Sequence, residues 1–273
     1  MNTRQQVRIA LRIPRRTPFL PFFLFHFPLL RMNLVLFETA AEAARLQPGD
    51  PRARHIREVL RMKPGDELFV GVVNGPRGRA AIADDENGGL RLAIQWETTL
   101  EPLRPFWILA GLPRPQTARD LLREAATFGV TALHFFNAEK GEPSYAQSTL
   151  WQTDEWQRRL REGAAQAFAT GVPEVARHES LRAAVEKIAE SAPKNSVRLA
   201  LDVYEAGAPL SQFAPADGPV VLALGAERGW SAGERIILRE NKFSLAHLGP
   251  RVLRTETALV AGLSVLLARR GAF

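Results

Sequence analysis

The sequence predicts an α/β protein in two parts, a small β-rich N-terminal unit followed by a larger unit built on a parallel sheet. From residue 106 onward, short apolar runs alternate with helical segments, which is typical of a parallel sheet covered by helices on both faces. Between residues 32 and 98, short strand-like segments are separated by turn residues, which favours a small barrel. The proline-bearing stretch Thr98–Pro105 is the expected linker.

Residues 32–98 are predicted to form short strands joined by tight turns, with one helix among them. The strand segments are Asn33–Phe37, Leu68–Val73 and the alternating series Leu90, Leu92, Ile94 and Trp96. The turn segments are Pro64–Asp66, Asn74-Gly75 and Asp84–Gly89. The helical segment is Arg52–Arg61, whose periodicity puts Ile56, Val59 and Leu60 on one apolar face.

The C-terminal unit is predicted from apolar strand segments that alternate with helices. The strand segments are Phe106–Ala110, Leu133–Phe136, Val197–Val203, Val220–Leu224 and Phe243–Leu248. The helical segments are Ala118–Ala126, Thr153–Phe168, Leu181–Ala192, Ser231–Asn241 and Thr255–Arg270. Ser231 and Glu234 match a capping box, which predicts where the helix after Val220–Leu224 begins.

Residues 1–31 combine a basic start with a short apolar run, Phe19–Leu30, that prolines interrupt. This run is too short to cross a bilayer, which needs about 20 apolar residues. It has the outline of a secretory signal, but no small-residue cleavage site follows it. We therefore expect the natural start to be Met32 and residues 1–31 not to be part of the fold.

The composition and charge of the chain exclude several kinds of chemistry. The 273 residues include no cysteine, which excludes disulfides, thiolate metal sites and cysteine nucleophiles. The five histidines are never three or four residues apart, and we expect no metal site. Six arginines and no acid lie within residues 1–31, so only +1 of the net charge of +7 remains for the other residues. The net charge therefore gives little support for nucleic-acid binding.

Two loops after apolar strand segments are the candidate ligand-binding elements. They are residues 224–231, Leu-Gly-Ala-Glu-Arg-Gly-Trp-Ser, and residues 248–258, Leu-Gly-Pro-Arg-Val-Leu-Arg-Thr-Glu-Thr-Ala. Glycine at the carboxyl end of a strand lets backbone approach a ligand closely. The alternative is that Gly225 and Gly249 are ordinary turn glycines. Neither loop is a dinucleotide or nucleoside-triphosphate fingerprint, and the chain has no nucleophile elbow.

The second loop resembles the signature of RsmE-type ribosomal RNA uridine-N3 methyltransferases of the SPOUT superfamily. The stretch Leu224–Glu234 resembles the Gly-Pro-Glu-Gly-Gly loop of that family. Residues 55–66, His-Ile-Arg-Glu-Val-Leu-Arg-Met-Lys-Pro-Gly-Asp, resemble the start of its N-terminal PUA-like barrel. The resemblance extends from Met32 to the C-terminus.

The resemblance implies a fold, a reaction and a set of partners. The fold would be a PUA-like RNA-binding β-barrel over residues 32–100 and a SPOUT methyltransferase domain with a trefoil knot over residues 105–273. The protein would be a cytoplasmic homodimer that does not bind a membrane. It would methylate N3 of a uridine in small-subunit (16S) ribosomal RNA, and its partner would be either the free RNA or the assembled small subunit. The methyl donor, S-adenosylmethionine, would be held mostly by backbone groups of Leu224, Gly225, Ala226, Glu227, Gly229, Leu248, Gly249, Leu253 and Thr255.

Three arginines are the candidate catalytic residues under this resemblance. Arg251 and Arg254 would stabilise the negative charge that develops on the base, and Arg114 in the first loop of the methyltransferase domain is the third candidate. The alternative for Arg254 is a structural ion pair with Glu256 or another acid.

Five arginines of the N-terminal unit are candidate RNA contacts. Arg54, Arg57 and Arg61 have the spacing of one helical face, and Arg77 and Arg79 belong to the predicted hairpin loop. Such a face suits phosphate contacts. The alternative is a solvated helix face paired to Glu58 and Asp50.

Three departures from the family pattern leave two rival functions open. Arg228 replaces a glycine, and the neighbouring Trp230 adds bulk or stacks on a base. The stretch 165–170 retains only Gln166 of the family's polar set, and Thr117 stands where a lysine is usual. The rivals are ribose 2′-O methylation by another SPOUT enzyme and an RNA-binding protein that has lost catalysis.

Overall fold

Two β-sheets organise the computed structural model, which describes residues 34–84 and 89–272. The expectations for residues 1–31 and for a start at Met32, and most of the predicted Asp84–Gly89 turn, lie outside the described residues. All the described residues fall within one compact unit, so both sheets belong to a single body. Among the described residues, no helix has the length and apolar character needed to cross a membrane.

The N-terminal sheet has five strands in the order β1-β3-β4-β5-β2. They are β1 (Leu34–Phe37), β2 (Arg45–Leu46), β3 (Glu67–Val72), β4 (Arg77–Asp84) and β5 (Leu90–Trp96). Strands β1 and β3 are parallel and the other pairs are antiparallel. Helix α1 (Ala40–Ala44) and helix α2 (Pro51–Arg54) help to enclose a small apolar core. Strands β1 and β2 are the sheet edges, so closure into a barrel stays a prediction.

The predicted helix over 52–61 is partly wrong, because α2 ends at Arg54 and a single π-helical turn, His55–Val59, follows it. The Leu60 N–H donates to the His55 carbonyl oxygen at 2.9 Å, five residues back. This wider winding brings residues four apart onto one face. Ile56 and Leu60 are therefore buried, whereas Val59 is 60% exposed. Arg61, with φ of 53°, lies beyond the end of the helix.

The C-terminal sheet has six parallel strands in the order β11-β9-β10-β6-β7-β8. They are β6 (Arg104–Gly111), β7 (Val130–Phe136), β8 (Glu174–His178), β9 (Val197–Leu201), β10 (Val220–Leu224) and β11 (Ser244–Ala246). The helices are α3 (Pro115–Thr127), α4 (Thr149–Gln152), α5 (Glu155–Gln166), α6 (Leu181–Ser191), α7 (Leu210–Phe213), α8 (Ala232–Glu240) and α9 (Thr255–Arg269), with a 3₁₀ turn at Pro143–Gln147.

Both faces of this sheet are buried, which confirms the predicted α/β layering. Phe106 and Ile108 of β6 pack with α3, α5 and α9 on one face. Trp107 and Leu109 pack with α6 and α8 on the other face. Burial on both sides makes the central strands continuous apolar runs, and this is why the sequence predicted them. The edge strand β8 was not predicted, because Glu174–His178 contains one large aliphatic residue, Val175.

The β3–β4 hairpin fastens the N-terminal sheet to the C-terminal unit. Its predicted Asn74-Gly75 turn is confirmed, with the Gly75 N–H donating to the Val72 carbonyl at 2.8 Å. The Asn74 N–H donates to the Thr170 carbonyl at 2.8 Å, and the Val172 N–H donates to Asn74 Oδ1 at 2.8 Å. Hydrogen bonds in both directions hold the hairpin tip against residues 170–172.

Candidate active site

Three neighbouring strands of the C-terminal sheet end side by side. Leu224, the last residue of β10, pairs with Leu201 of β9, which in turn pairs with Ala246 of β11. The loops after these strands enclose a cavity of about 380 Å³. This volume falls within the range of small-molecule sites, and the carboxyl edge of a parallel sheet is where such sites form.

The cavity brings together both loops that the sequence singled out. Its lining contains the three candidate catalytic residues Arg114, Arg251 and Arg254. The predicted donor-binding residues that line it are Leu224, Gly225, Ala226, Glu227, Gly229, Leu248, Gly249, Leu253 and Thr255. Sequence reasoning missed a third wall, residues 201–204, because it extended strand β9 to Val203 instead of ending it at Leu201.

The loop after β10 is fixed against the loop after β6. Glu227 Oε1 accepts a hydrogen bond from the Arg114 backbone N–H at 2.9 Å. A Cβ atom on Gly111 would lie 2.6 Å from the Ala226 nitrogen, so only glycine at 111 permits this approach. Gly229 adopts a φ of 66°, which favours glycine, and its N–H donates to the Ala226 carbonyl at 2.7 Å.

Trp230 belongs to the core, and the suggestion that it stacks on a base is wrong. Its side chain is buried, and the ring stacks on Phe136 with centroids 5.9 Å apart. Its Nε1–H donates to the Leu201 carbonyl at 2.8 Å, which ties the start of α8 to the end of β9. The side chain of the adjacent Arg228 is exposed, so neither residue closes the space between the loops.

The loop after β11 presents two free arginines and an uncapped helix. Gly249 has a φ of 104°, and its N–H donates to His247 Nδ1 at 3.1 Å. Helix α9 begins at Thr255 without a side-chain cap, so the positive end of its dipole faces the cavity. Among the described residues, the exposed side chains of Arg251 and Arg254 have no ion-pair partner. The alternative pairing of Arg254 with Glu256 is therefore not found.

The third wall rests on a buried ion pair. Arg235 Nε lies 2.5 Å from Asp202 Oδ2, and Asp202 Oδ1 accepts the backbone N–H of Tyr204 at 2.8 Å. Burial raises the pKa of Asp202, but the hydrogen bonds from Arg235 and Tyr204 outweigh it and lower the pKa below its ordinary value. The carboxylate therefore stays ionised and fixes the turn that follows β9.

The five candidate RNA-contact arginines differ in what they already bind. Arg57 Nη2 donates to the Gly89 carbonyl at 2.6 Å. Arg77 and Arg79 lie in strand β4, so their placement in the hairpin loop is wrong. Arg77 donates to the Phe168 carbonyl at 2.9 Å and pairs with Glu97 at 3.1 Å. The side chains of Arg54, Arg61 and Arg79 are exposed. Since the helix ends before Arg61, the expected single face of Arg54, Arg57 and Arg61 is wrong.

Comparisons with known proteins match most of the chain. A family model described as an RNA methyltransferase domain matches residues 100–267. The Ribosomal RNA small subunit methyltransferase E of Treponema pallidum (strain Nichols) is 32% identical over 248 residues, which span 89% of this chain and 93% of that protein.

Two solved structures share the fold. The crystal structure of a Ribosomal RNA small subunit methyltransferase E from Neisseria gonorrhoeae bound to S-adenosyl methionine has a TM-score of 0.72 at 23% identity, and the match covers 87% of this chain and 97% of that chain. A Legionella pneumophila methyltransferase in complex with the bound cofactor SAM has a TM-score of 0.69 at 21% identity, with coverages of 87% and 98%.

Proposed function

The chain belongs to the ribosomal RNA small subunit methyltransferase E family, and from this premise we propose that it methylates N3 of a uridine in small-subunit ribosomal RNA with S-adenosylmethionine as donor. The observation that carries the proposal is the meeting of three loops around one cavity whose mouth holds Arg251 and Arg254. A donor pocket and unpaired cations beside it are what transfer to a nucleobase needs.

The residues around the cavity fit an adenosine bearing a sulfonium group. Leu224, Leu248 and Leu253 offer apolar walls for a planar purine. The glycine-containing loops bring backbone donors and acceptors to the polar edges of such a ligand. The bound donor would supply an electrophilic methyl group, and this chemistry requires no metal.

The acceptor chemistry gives the arginines a role. Uridine N3 carries a proton and is a poor nucleophile until that proton is lost to water. Negative charge therefore develops on the base as the proton leaves, and it is neutralised when N3 takes the methyl group and the C–S bond of the donor breaks. Arg251 and Arg254, exposed and unpaired among the described residues, would stabilise that charge. Arg114 would contribute from the opposite loop, where Thr117 Oγ1 accepts from its Nε at 3.2 Å.

The finer features that the resemblance implies form part of the same proposal. The C-terminal sheet would contain the trefoil knot, and the active unit would be a cytoplasmic homodimer. The N-terminal sheet, as a PUA-like domain, would grip RNA through exposed arginines such as Arg54, Arg61 and Arg79. Arg57 and Arg77 would chiefly hold the domain together, because their guanidinium groups already donate within the protein.

Titration calorimetry with S-adenosylmethionine tests the proposed function against a catalytically inactive RNA-binding protein. We expect saturable binding at one site per chain. Binding should weaken in Leu248→Asp, which puts a charge on an apolar wall, and should be unchanged in Lys194→Ala. Lys194 is exposed at the opposite edge of the sheet, before β9, and makes a matched surface control. If the protein did not bind S-adenosylmethionine at millimolar concentration, the proposed reaction would be wrong, and a catalytically inactive RNA-binding protein would be the remaining interpretation.

A further inference from the structure

Tyr204 is an exposed aromatic residue at the rim of the cavity. Tyr204 is 72% exposed, more than any other large hydrophobic residue among those described, and it lines the cavity. A Cβ atom on Gly229 would lie 3.9 Å from Tyr204 Cε2, so the ring borders the loop after β10. An exposed ring contributes little to the core and has one face available to a ligand.

The backbone of Tyr204 is held more firmly than an exposed loop residue requires. Asp202 Oδ1 accepts the N–H groups of Tyr204 and Glu205, at 2.8 and 3.3 Å. Asp202 is itself locked by Arg235, which also donates from Nη1 to the Trp230 carbonyl at 3.2 Å. A buried ion pair thus positions an aromatic side chain that the fold leaves in solvent, which is the arrangement of a preorganised contact residue.

The surroundings of the ring indicate which ligand it meets. The interior of the cavity is aliphatic, with Leu201 and Leu224 at the ends of their strands. The cavity lining also contains exposed arginines, Arg228 in the loop after β10 and Arg251 with Arg254 in the loop after β11. An aromatic face beside several cations is typical of sites that bind an unpaired nucleotide by stacking its base and neutralising its phosphates.

We propose that Tyr204 is the stacking platform for the target base once that base has left its own stack. This inference rests on the proposed function, since it names a substrate contact of the same site. An enzyme that modifies a ring nitrogen must extrude the base and must offset the lost stacking. The ring of Tyr204 would supply that contact at the rim of the donor cavity, with Asp202 and Arg235 as positioning residues.

The test compares Tyr204→Ala and Tyr204→Phe on two RNA probes. One probe is a synthetic oligonucleotide centred on the uridine that the wild-type protein methylates in small-subunit ribosomal RNA. The other is identical but has an abasic site at that position. Affinities are measured by fluorescence anisotropy with S-adenosylhomocysteine present, so that no turnover occurs. Leu100→Ala, another exposed apolar residue but outside the cavity lining, is the matched control.

We expect Tyr204→Ala to bind the uridine probe about 10- to 100-fold more weakly than wild type, in line with one lost base–aromatic stack. Tyr204→Phe should recover most of that loss, because the aromatic face is what matters. On the abasic probe, Tyr204→Ala and wild type should bind equally. Donor affinity without RNA should fall much less than RNA affinity in either variant, because the ring lies at the exposed edge of the cavity.

Four results would overturn the proposal for Tyr204 alone. They are an unchanged RNA affinity in Tyr204→Ala, an equal loss on both probes, a loss of donor affinity without RNA as large as the loss of RNA affinity, and a Tyr204→Ala protein that sediments as a monomer where wild type sediments as a dimer. A wild-type protein that methylates no RNA would instead overturn the proposed function and this inference with it. The two failures are thereby distinguished.

Discussion

Arg235 Nε lies 2.5 Å from Asp202 Oδ2, and this pair joins the helix after β10 to the turn after β9. The Asp202 side chain is 1% exposed and that of Arg235 is 11% exposed. Arg235 also reaches the Trp230 carbonyl, whose oxygen accepts from Lys140 Nζ at 2.7 Å. Arg235 therefore connects two walls of the cavity, through Asp202 after β9 and the Trp230 carbonyl after β10.

Removing one member of this pair should destabilise the whole unit. Arg235→Ala leaves the Asp202 carboxylate buried without its partner, and we expect a loss of about 3 kcal/mol in the free energy of unfolding. Denaturant melts followed by circular dichroism measure it. Arg182→Ala is the matched control, because its pairing with Glu240 at 3.9 Å is exposed and should contribute at most about 0.5 kcal/mol. Equal effects of the two variants would contradict the account.

Glu227 should affect donor binding through the loop that it holds. Glu227→Ala removes the acceptor of the Arg114 N–H, and we expect donor affinity to fall on the order of tenfold, which is typical of one lost charge-assisted hydrogen bond. Glu227→Gln keeps an oxygen acceptor and should lose less. Calorimetry with S-adenosylmethionine measures both variants. If Glu227→Gln lost as much as Glu227→Ala, the charge rather than the loop contact would be responsible.

Arg251 and Arg254 should act on the rate of transfer. For each Arg→Ala variant we expect kcat to fall by about 10²- to 10³-fold, the effect of losing one preorganised donor to a developing anion. Donor affinity should change much less, because these side chains lie exposed at the cavity mouth. Single-turnover methylation of small-subunit RNA measures the rate. A variant that raised only the KM for RNA would identify its arginine as a phosphate contact.

Acid should weaken the fold through a histidine pair on the C-terminal sheet. His134 Nδ1 lies 2.9 Å from His178 Nε2, between neighbouring strands. Burial, with the charges of His178 and Lys187, lowers the pKa of His134 to about 4. In the unfolded chain the histidine takes up a proton near pH 6.5, whereas in the folded protein it does so only near pH 4. The free energy of unfolding should therefore keep its full His134 contribution above about pH 6.5 and lose it as the pH falls towards 4.

His134→Gln provides the matching test. Thermal melts at about pH 7 and about pH 5 should show a smaller drop in Tm for the variant than for wild type, since one buried group no longer takes up a proton on unfolding. The variant should be less stable than wild type at pH 7, where its partner His178 loses the ring contact. Parallel pH profiles in both proteins would show that His134 does not contribute.

The strands that line the cavity could be predicted because burial on both faces leaves long apolar runs such as Val220–Leu224. The two glycine loops followed from those strands and from the family resemblance. The contact of Glu227 with Arg114 could not be predicted, since it joins residues 113 positions apart. Tyr204 was missed because Asp202 was taken as part of a strand, although an acid directly after an apolar run is a recognised sign of a turn.

The helical segment near residue 55 shows a different limit. Periodicity assumes 3.6 residues per turn, and the π-helical turn at His55–Val59 breaks that assumption without a sequence signature. The resulting shift exposes Val59 and takes Arg61 out of the helix. The helical periodicity of residues 52–61 therefore predicted the burial of Ile56 correctly. It was wrong in placing Arg54, Arg57 and Arg61 on one face of a helix.

The most direct test of the central claim is nucleoside mass spectrometry of small-subunit ribosomal RNA incubated with the purified protein and methyl-labelled S-adenosylmethionine. The account predicts label in 3-methyluridine, and none when Arg251 and Arg254 are both replaced by alanine. Label on a ribose 2′-oxygen, or no label in RNA despite donor binding, would contradict it.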